Sequence, residues 1–318
     1  MQVAYSQSDL PRPLNREEAA LLKALVYFDI FRYPLTLSEM VQFAPEKFHS
    51  PEAAELAARG LETSFIIKRV GEFWSLHHDY AMVTRRLKGN SMAEDVNGKA
   101  QRMSAFMHKF PFVRSVNISG SLSKNYFDAG TDIDYFIITA PDRIWLCRTL
   151  LALYKKIFLL NRRKYFCINY FISSEELDIP DKNLFAATEI LTLRNMTGSD
   201  IYARFLEHNQ WAFLHFPNAE KGSITIAEKK DGWLKRRLET MLSGKMGQRL
   251  DDACFRLTFA FWQRKFSYMR QSEFKVNLRS KKQVSKHHPQ GFQFKVMQAF
   301  EERCRRLEQQ YNILFPHE

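Results

Sequence analysis

The chain has 318 residues, of which 45% are hydrophobic and 26% charged, with a formal net charge of +12. That balance excludes a largely disordered chain, and the length predicts two or three domains. The most apolar stretch, residues 144–160, is broken by Arg and Lys, so no membrane span is expected.

Residues 1–13 lack both a basic patch and an apolar core, so no signal peptide is predicted. Four scattered cysteines give neither a zinc-knuckle spacing nor a disulfide framework, and the expected compartment is the reducing cytoplasm. The first helix is predicted from an Asn15 cap, acids in the first turn, and Leu21, Leu22, Leu25, Val26 and Phe28 at helical spacing. Tyr33-Pro34 breaks it, and Thr36 with Glu39 spells a capping box for a second helix. Ser50-Pro51 starts a third, expected to stop at Gly60. Two apolar runs around Gly71-Glu72 read as a hairpin. Three helices and a hairpin resemble a winged helix. The third helix of such a unit usually enters the DNA major groove. Here it carries Glu52 and Glu55 against Arg59, and acids repel phosphate, which argues for a packing or protein-contact module instead.

A linking helix is predicted over residues 92–110, after a basic run of Arg85, Arg86 and Lys88 and before Pro111. Residues 113–118 are β-rich and end at Gly120-Ser121. After ten intervening residues comes Asp132, then Asp134, in a second apolar run. Residues two apart on a strand share a face, so the two carboxylates repel one another unless a cation lies between them. Oxygen ligands suit Mg²⁺ or Mn²⁺. Gly120 permits close approach of a phosphate, Ser121 adds a hydroxyl, and Lys124 is a candidate phosphate contact.

An apolar strand, Gly-Ser, a spacer, and a second apolar strand bearing Asp-x-Asp resemble the nucleotidyltransferase superfamily that includes DNA polymerase beta and the aminoglycoside nucleotidyltransferases. The resemblance implies an α+β fold with a mixed sheet and flanking helices. It implies a metal-dependent transfer of a nucleoside monophosphate from a triphosphate to an acceptor, with pyrophosphate released. Gly120 and Ser121 would bind the β- and γ-phosphates, and Asp132 and Asp134 would hold the metal. The family usually carries a third carboxylate on a later strand. Here that strand, residues 164–173, has Asn169 at its centre, an amide with no charge. Three outcomes stay open: an enzyme with an acid displaced to Glu175, Glu176 or Asp178, a one-metal enzyme, or a degenerate nucleotide- or nucleic-acid-binding or regulatory module.

Residues 183–218 read as helical, with Glu189 and Arg194 on the first helix. Residues 222–231 turn polar and suggest a boundary. From residue 221 onward 21 Lys and Arg face 10 Asp and Glu, so nearly all the net charge lies at this end. One or two long helices, broken at Gly244 or Gly247, lead to a basic loop with Lys281, Lys282 and Lys286, then a final helix. This patch is a candidate anion or acceptor site, and nucleic acid is a possible partner of the basic end. The predicted organisation is a winged-helix-like domain (1–90), a nucleotidyltransferase-like catalytic domain (91–220) and a basic helical domain (221–318).

Overall fold

Side chains of Asn15, Thr36, Ser50 and Asn183 cap helix starts. The computed structural model describes residues 11–162, 164–220 and 231–316, so most of the polar stretch read as a boundary lies outside the described residues. The fold is mixed α and β, and no helix among the described residues is long and apolar enough to cross a membrane. The chain divides into two compact units. Unit 1 takes in Met1–Leu87, Phe213–Glu220 and Gln293–Glu318, and unit 2 takes in Lys88–Ala212 and Lys221–Phe292. The basic end is therefore shared between the two units rather than standing as a third.

In unit 1, β1 (Arg12–Pro13) leads to α1 (Arg16–Asp29). The Asn15 side chain accepts from Glu18 N at 2.7 Å, and Glu18 returns the bond to Asn15 N, a complete capping box. After β2 (Leu35–Thr36), the Thr36–Glu39 box opens α2 (Leu37–Gln42). Ser50 caps α3 (Pro51–Thr63) with proline at the first position. This helix does not stop at Gly60. A Cβ there would lie 2.7 Å from Glu18 Oε1, so the glycine lets α3 pack closely against α1 and the helix continues. β3 (Lys68–Val70) and β4 (Phe73–Ser75) form the hairpin, with Gly71 at φ +63° in its turn. They join β2 in a three-stranded antiparallel sheet.

The linking helix is longer than expected: α4 (Tyr80–His108) starts beside Asp79, whose carboxylate accepts from Ala81 N at 2.8 Å. Gly89 looks like a helix break but serves as a contact point. A Cβ there would fall 2.1 Å from the Tyr126 ring. Arg86 is no surface charge either. It is buried, forks onto Glu39 with two bonds of 2.7 Å, and lies over Tyr33 and Phe73.

Unit 2 is built on β5 (Val113–Ser119), α5 (Gly120–Ser123), β6 (Asp134–Thr139), α6 (Ile144–Phe158), β7 (Cys167–Ser173), α7 (Leu184–Thr192), β8 (Arg194–Thr197) and α8 (Ser199–His208). After α9 (Trp211–Leu214) follow α10 (Trp233–Leu242), α11 (Lys245–Lys265), α12 (Gln271–Asn277), β9 (Ser280–Lys281) and β10 (Val284–Lys286). α13 (Phe292–Tyr311) and β11 (Ile313–Leu314) close the chain, β11 pairing in parallel with β1. Gly244 separates α10 from α11, and Gly247 lets the two approach: a Cβ on it would meet Leu242 O at 1.8 Å.

The central sheet has six strands in the order β8-β5-β6-β7-β10-β9. β6 and β7 run parallel through the α6 crossover, and the other neighbours are antiparallel. One face is covered by α4, α6 and α11, with Val116, Tyr135, Ile137, Trp145, Phe171 and Trp262 in one apolar core. The opposite face carries Phe136 against Phe205 of α8 and against Tyr170. Two elements depart from the sequence expectation. Arg194 sits on an edge strand and not on a helix, and the "basic loop" contains a hairpin that extends the sheet.

Candidate active site

The site lies where β5, β6 and β7 end or begin on the face opposite the α6 layer. Ser119 and Asp134 are directly opposed in the β5–β6 pair. Gly120 follows at φ +68°, a conformation that suits glycine. A Cβ at this position would lie 2.6 Å from Asp134 Oδ2, so the Gly-Ser turn and the first carboxylate of the strand are packed directly against each other. Gly120→Ala is therefore expected to destabilise the chain by about 2 kcal/mol or more, from the left-handed backbone and the lost space together. An unchanged denaturation midpoint in urea would contradict this contact.

Asp134 opens β6, whereas Asp132 stands just before the strand in irregular backbone. The two are nonetheless electrostatically coupled. Burial pushes the Asp134 carboxyl up to about 7, a hydrogen bond from Cys167 opposes the rise, and the charges of Glu189 and Asp132 add to it. The folded value lies above the ordinary 3.8, so ionising Asp134 costs the folded state stability. That cost is absent below about pH 4 and complete once the pH has passed about 7.

Asn169 reaches the same carboxylate. Its Nδ2 donates to Asp134 Oδ1 at 2.6 Å, while its Oδ1 accepts from Cys167 Sγ at 3.3 Å. The β6–β7 register shifts here: Tyr135 pairs with Ile168 and Phe136 with Tyr170, leaving Asn169 as the bulged residue. The amide replaces a third negative charge with a donor aimed at Asp134. Glu175, Glu176 and Asp178 lie past the end of β7 and are exposed.

A carboxylate overlooked in the sequence is Glu189 on α7. Gly120 N donates to its Oε2 at 3.3 Å, and Lys124 Nζ contacts Oε1 at 2.6 Å and Gly120 O at 3.2 Å. The two groups expected to hold phosphate thus hold an oxyanion of the chain itself. The one clue was its place as the single ionisable residue of α7, an otherwise apolar and small-residue helix. Ser121 is half-buried at the second position of α5.

The three basic-loop lysines do not form one patch. Lys281 is exposed on β9, Lys282 pairs with Asp252 at 3.2 Å, and Lys286 is buried on β10 with Asp181 Oδ2 at 3.3 Å.

Among the described residues no group of three or more His, Cys, Asp and Glu side chains is placed to hold a metal ion. Asp132 and Asp134 are a pair of half-buried, electrostatically coupled carboxylates, and desolvation makes Asp134 resist ionisation. Such a donor set fits Mg²⁺ or Mn²⁺, which take one or two carboxylates and complete their shell with water and phosphate oxygens. No family model matches the chain, and neither a curated protein nor a solved structure matches it.

Proposed function

We propose that the chain is a divalent-metal-dependent nucleotidyltransferase that transfers a nucleoside monophosphate from a nucleoside triphosphate to an acceptor and releases pyrophosphate. The observation that carries this reading is the contact of Gly120 with Asp134. Two motifs separated in sequence meet at one point, which supports reading the Gly-Ser turn as a phosphate contact and the neighbouring carboxylates as metal ligands. The reading includes a nucleotidyltransferase-like sheet for unit 2 and a winged-helix-like arrangement for the helices and hairpin of unit 1.

Asp132 and Asp134 would hold the Mg²⁺ or Mn²⁺, which supplies charge neutralisation at the α-phosphate. Gly120 N–H, Ser121 and Lys124 bind the β- and γ-phosphates, displacing the Glu189 carboxylate that Gly120 and Lys124 now hold. Freed from Lys124, Glu189 is a carboxylate beside Gly120 that could accept the acceptor's proton, the role that Asn169 cannot take. Asn169 orients Asp134 through its 2.6 Å bond. The acceptor oxygen attacks the α-phosphorus as the bond to the pyrophosphate oxygen breaks, a reaction that needs positioning and charge neutralisation above all.

Asn169 favours a second reading. With an amide where the superfamily has an acid, the same core serves as a nucleotide- or nucleic-acid-binding or regulatory module. The test is Mn²⁺-dependent retention of a labelled nucleoside triphosphate by the full chain, followed by pyrophosphate release with small-molecule, RNA and protein acceptors supplied. Retention with release supports the enzyme, and retention alone supports the module. Loss of both overturns the proposal.

A further inference from the structure

Helix α11 is held by one face. Phe255 and Trp262 pack on Trp145 with ring centroids 4.9 and 6.0 Å apart, and Phe259 packs on Phe274 at 5.9 Å. The opposite face carries a second apolar stripe. Met246, Leu250, Ala253, Leu257 and Ala260 follow one another at alternating intervals of four and three residues, the repeat that keeps side chains on one line along a helix. Phe261 flanks the end of that line. Met246, Leu250, Leu257 and Phe261 are exposed, Leu257 by 72% and Phe261 by 59%. The stripe runs for about 22 Å along the helix axis. Ala253 and Ala260 leave hollows between its large side chains.

The charge on this face has one sign. Lys245, Arg249 and Arg256 each stand one residue ahead of Met246, Leu250 and Leu257, so they form a row along one edge of the stripe, and Arg264 continues the line itself. All four are exposed, and among the described residues none of them makes an ion pair. The two acids of α11 are engaged elsewhere. Asp251 is buried and accepts from Leu146 N at 2.7 Å, and Asp252 pairs with Lys282 at 3.2 Å. An apolar stripe edged by cations is complementary to a surface that is apolar along its centre and acidic along its rim.

We infer that the outward face of α11 is a docking seam for an acidic amphipathic helix of a partner protein. The four-three spacing sets large side chains and hollows in the order that receives the knobs of a second helix, and glutamates flanking those knobs would meet Arg249 and Arg256. Other occupants fit less of the pattern. A second copy of the chain would set Arg249 and Arg256 against the same arginines in an antiparallel pair, and would offer them Cys254 and Phe261, not acids, in a parallel one. A lipid surface makes no use of the hollows at Ala253 and Ala260, and a nucleic-acid backbone offers nothing apolar to Leu250 and Leu257. The inference goes beyond the proposed nucleotidyl transfer and does not rest on it.

The test uses the full chain without metal or nucleotide. The probes are a synthetic amphipathic helix with leucine along its seam and glutamate at the flanking positions, and the same helix with lysine in place of glutamate, each followed by fluorescence anisotropy at about 0.1 M salt. Wild type is expected to bind the glutamate helix saturably and the lysine helix at least about tenfold more weakly. Arg249→Glu with Arg256→Glu should reverse that preference. Leu250→Ser with Leu257→Ser should weaken binding of the glutamate helix by at least about tenfold while the denaturation midpoint in urea stays where it was, since both leucines are exposed. Absence of saturable binding, equal affinity for the two probes, or a preference that survives the double charge reversal overturns the seam. Dimerisation of wild type that the two serines abolish would give the face to a second copy and overturn it too. So would tighter binding to phosphatidylserine vesicles or to RNA than to the glutamate helix, lost in the same serine variant.

Discussion

Asp132→Asn is expected to abolish nucleotidyl transfer, with a fall of at least about a thousandfold in pyrophosphate release, because charge opposite the α-phosphate is the main source of transition-state stabilisation in such a site. Asp132 is half-buried just ahead of β6, and its charge is among those that raise the Asp134 carboxyl. Removing that charge lowers the cost of ionising Asp134 and removes one of two carboxylates from the metal. The variant should therefore fold at least as well as wild type at pH 8 without metal, yet fail with it. Triphosphate binding should survive in part, since Gly120 packs against Asp134 and Lys124 against Glu189, and neither contact involves Asp132. Unimpaired pyrophosphate release would remove Asp132 from the metal site.

Asn169→Asp should have two opposite effects. Without metal, the 2.6 Å donor to Asp134 is replaced by a third carboxylate, and at pH 8 the chain should lose about 2 kcal/mol or more of stability. The loss should vanish below about pH 4, where the carboxyls are protonated in both folded and unfolded chains. With Mn²⁺ present the same carboxylate becomes a ligand, and metal affinity should rise about tenfold. The bulge at Asn169 already aims the side chain at Asp134, so no backbone change is needed. Mn²⁺ affinity equal to that of wild type would mean that position 169 faces away from the metal.

Much of this site was legible because its chemistry is local. Gly120-Ser121 directly follows β5 and Asp132-x-Asp134 leads into β6, and their meeting follows from the antiparallel pairing of these two strands. The cap signals at Asn15, Thr36 and Ser50 were legible for the same reason, since each is settled within one helical turn. What depends on distant partners was not. Glu189 reaches Gly120 across 69 positions, and Asp181 reaches Arg279 across 98. β9 and β10 are two and three residues long and polar, with too little alternation to read as strands. They exist because β7 offers them an edge. Gly60 misled in the other direction. It looked like an end signal, whereas it admits a side chain from another element, Glu18. The lysines of the hairpin read as one basic patch because sequence cannot tell that Lys286 turns inward to Asp181 while Lys281 stays exposed.

The most direct measurement of the central claim is the pH dependence of Mn²⁺ binding to the wild-type chain. A metal held by Asp134 must displace its proton, and burial with neighbouring carboxylates places that carboxyl at about 7. Calorimetry between pH 5.5 and 8.5 should show affinity rising about tenfold per pH unit at the acid end and levelling off above about 7, with one proton released per ion at the acid end. Asp134→Asn should bind Mn²⁺ weakly at every pH. An affinity that does not change with pH, or one equal in wild type and Asp134→Asn, would contradict a metal site at these carboxylates and the nucleotidyltransferase reading with it.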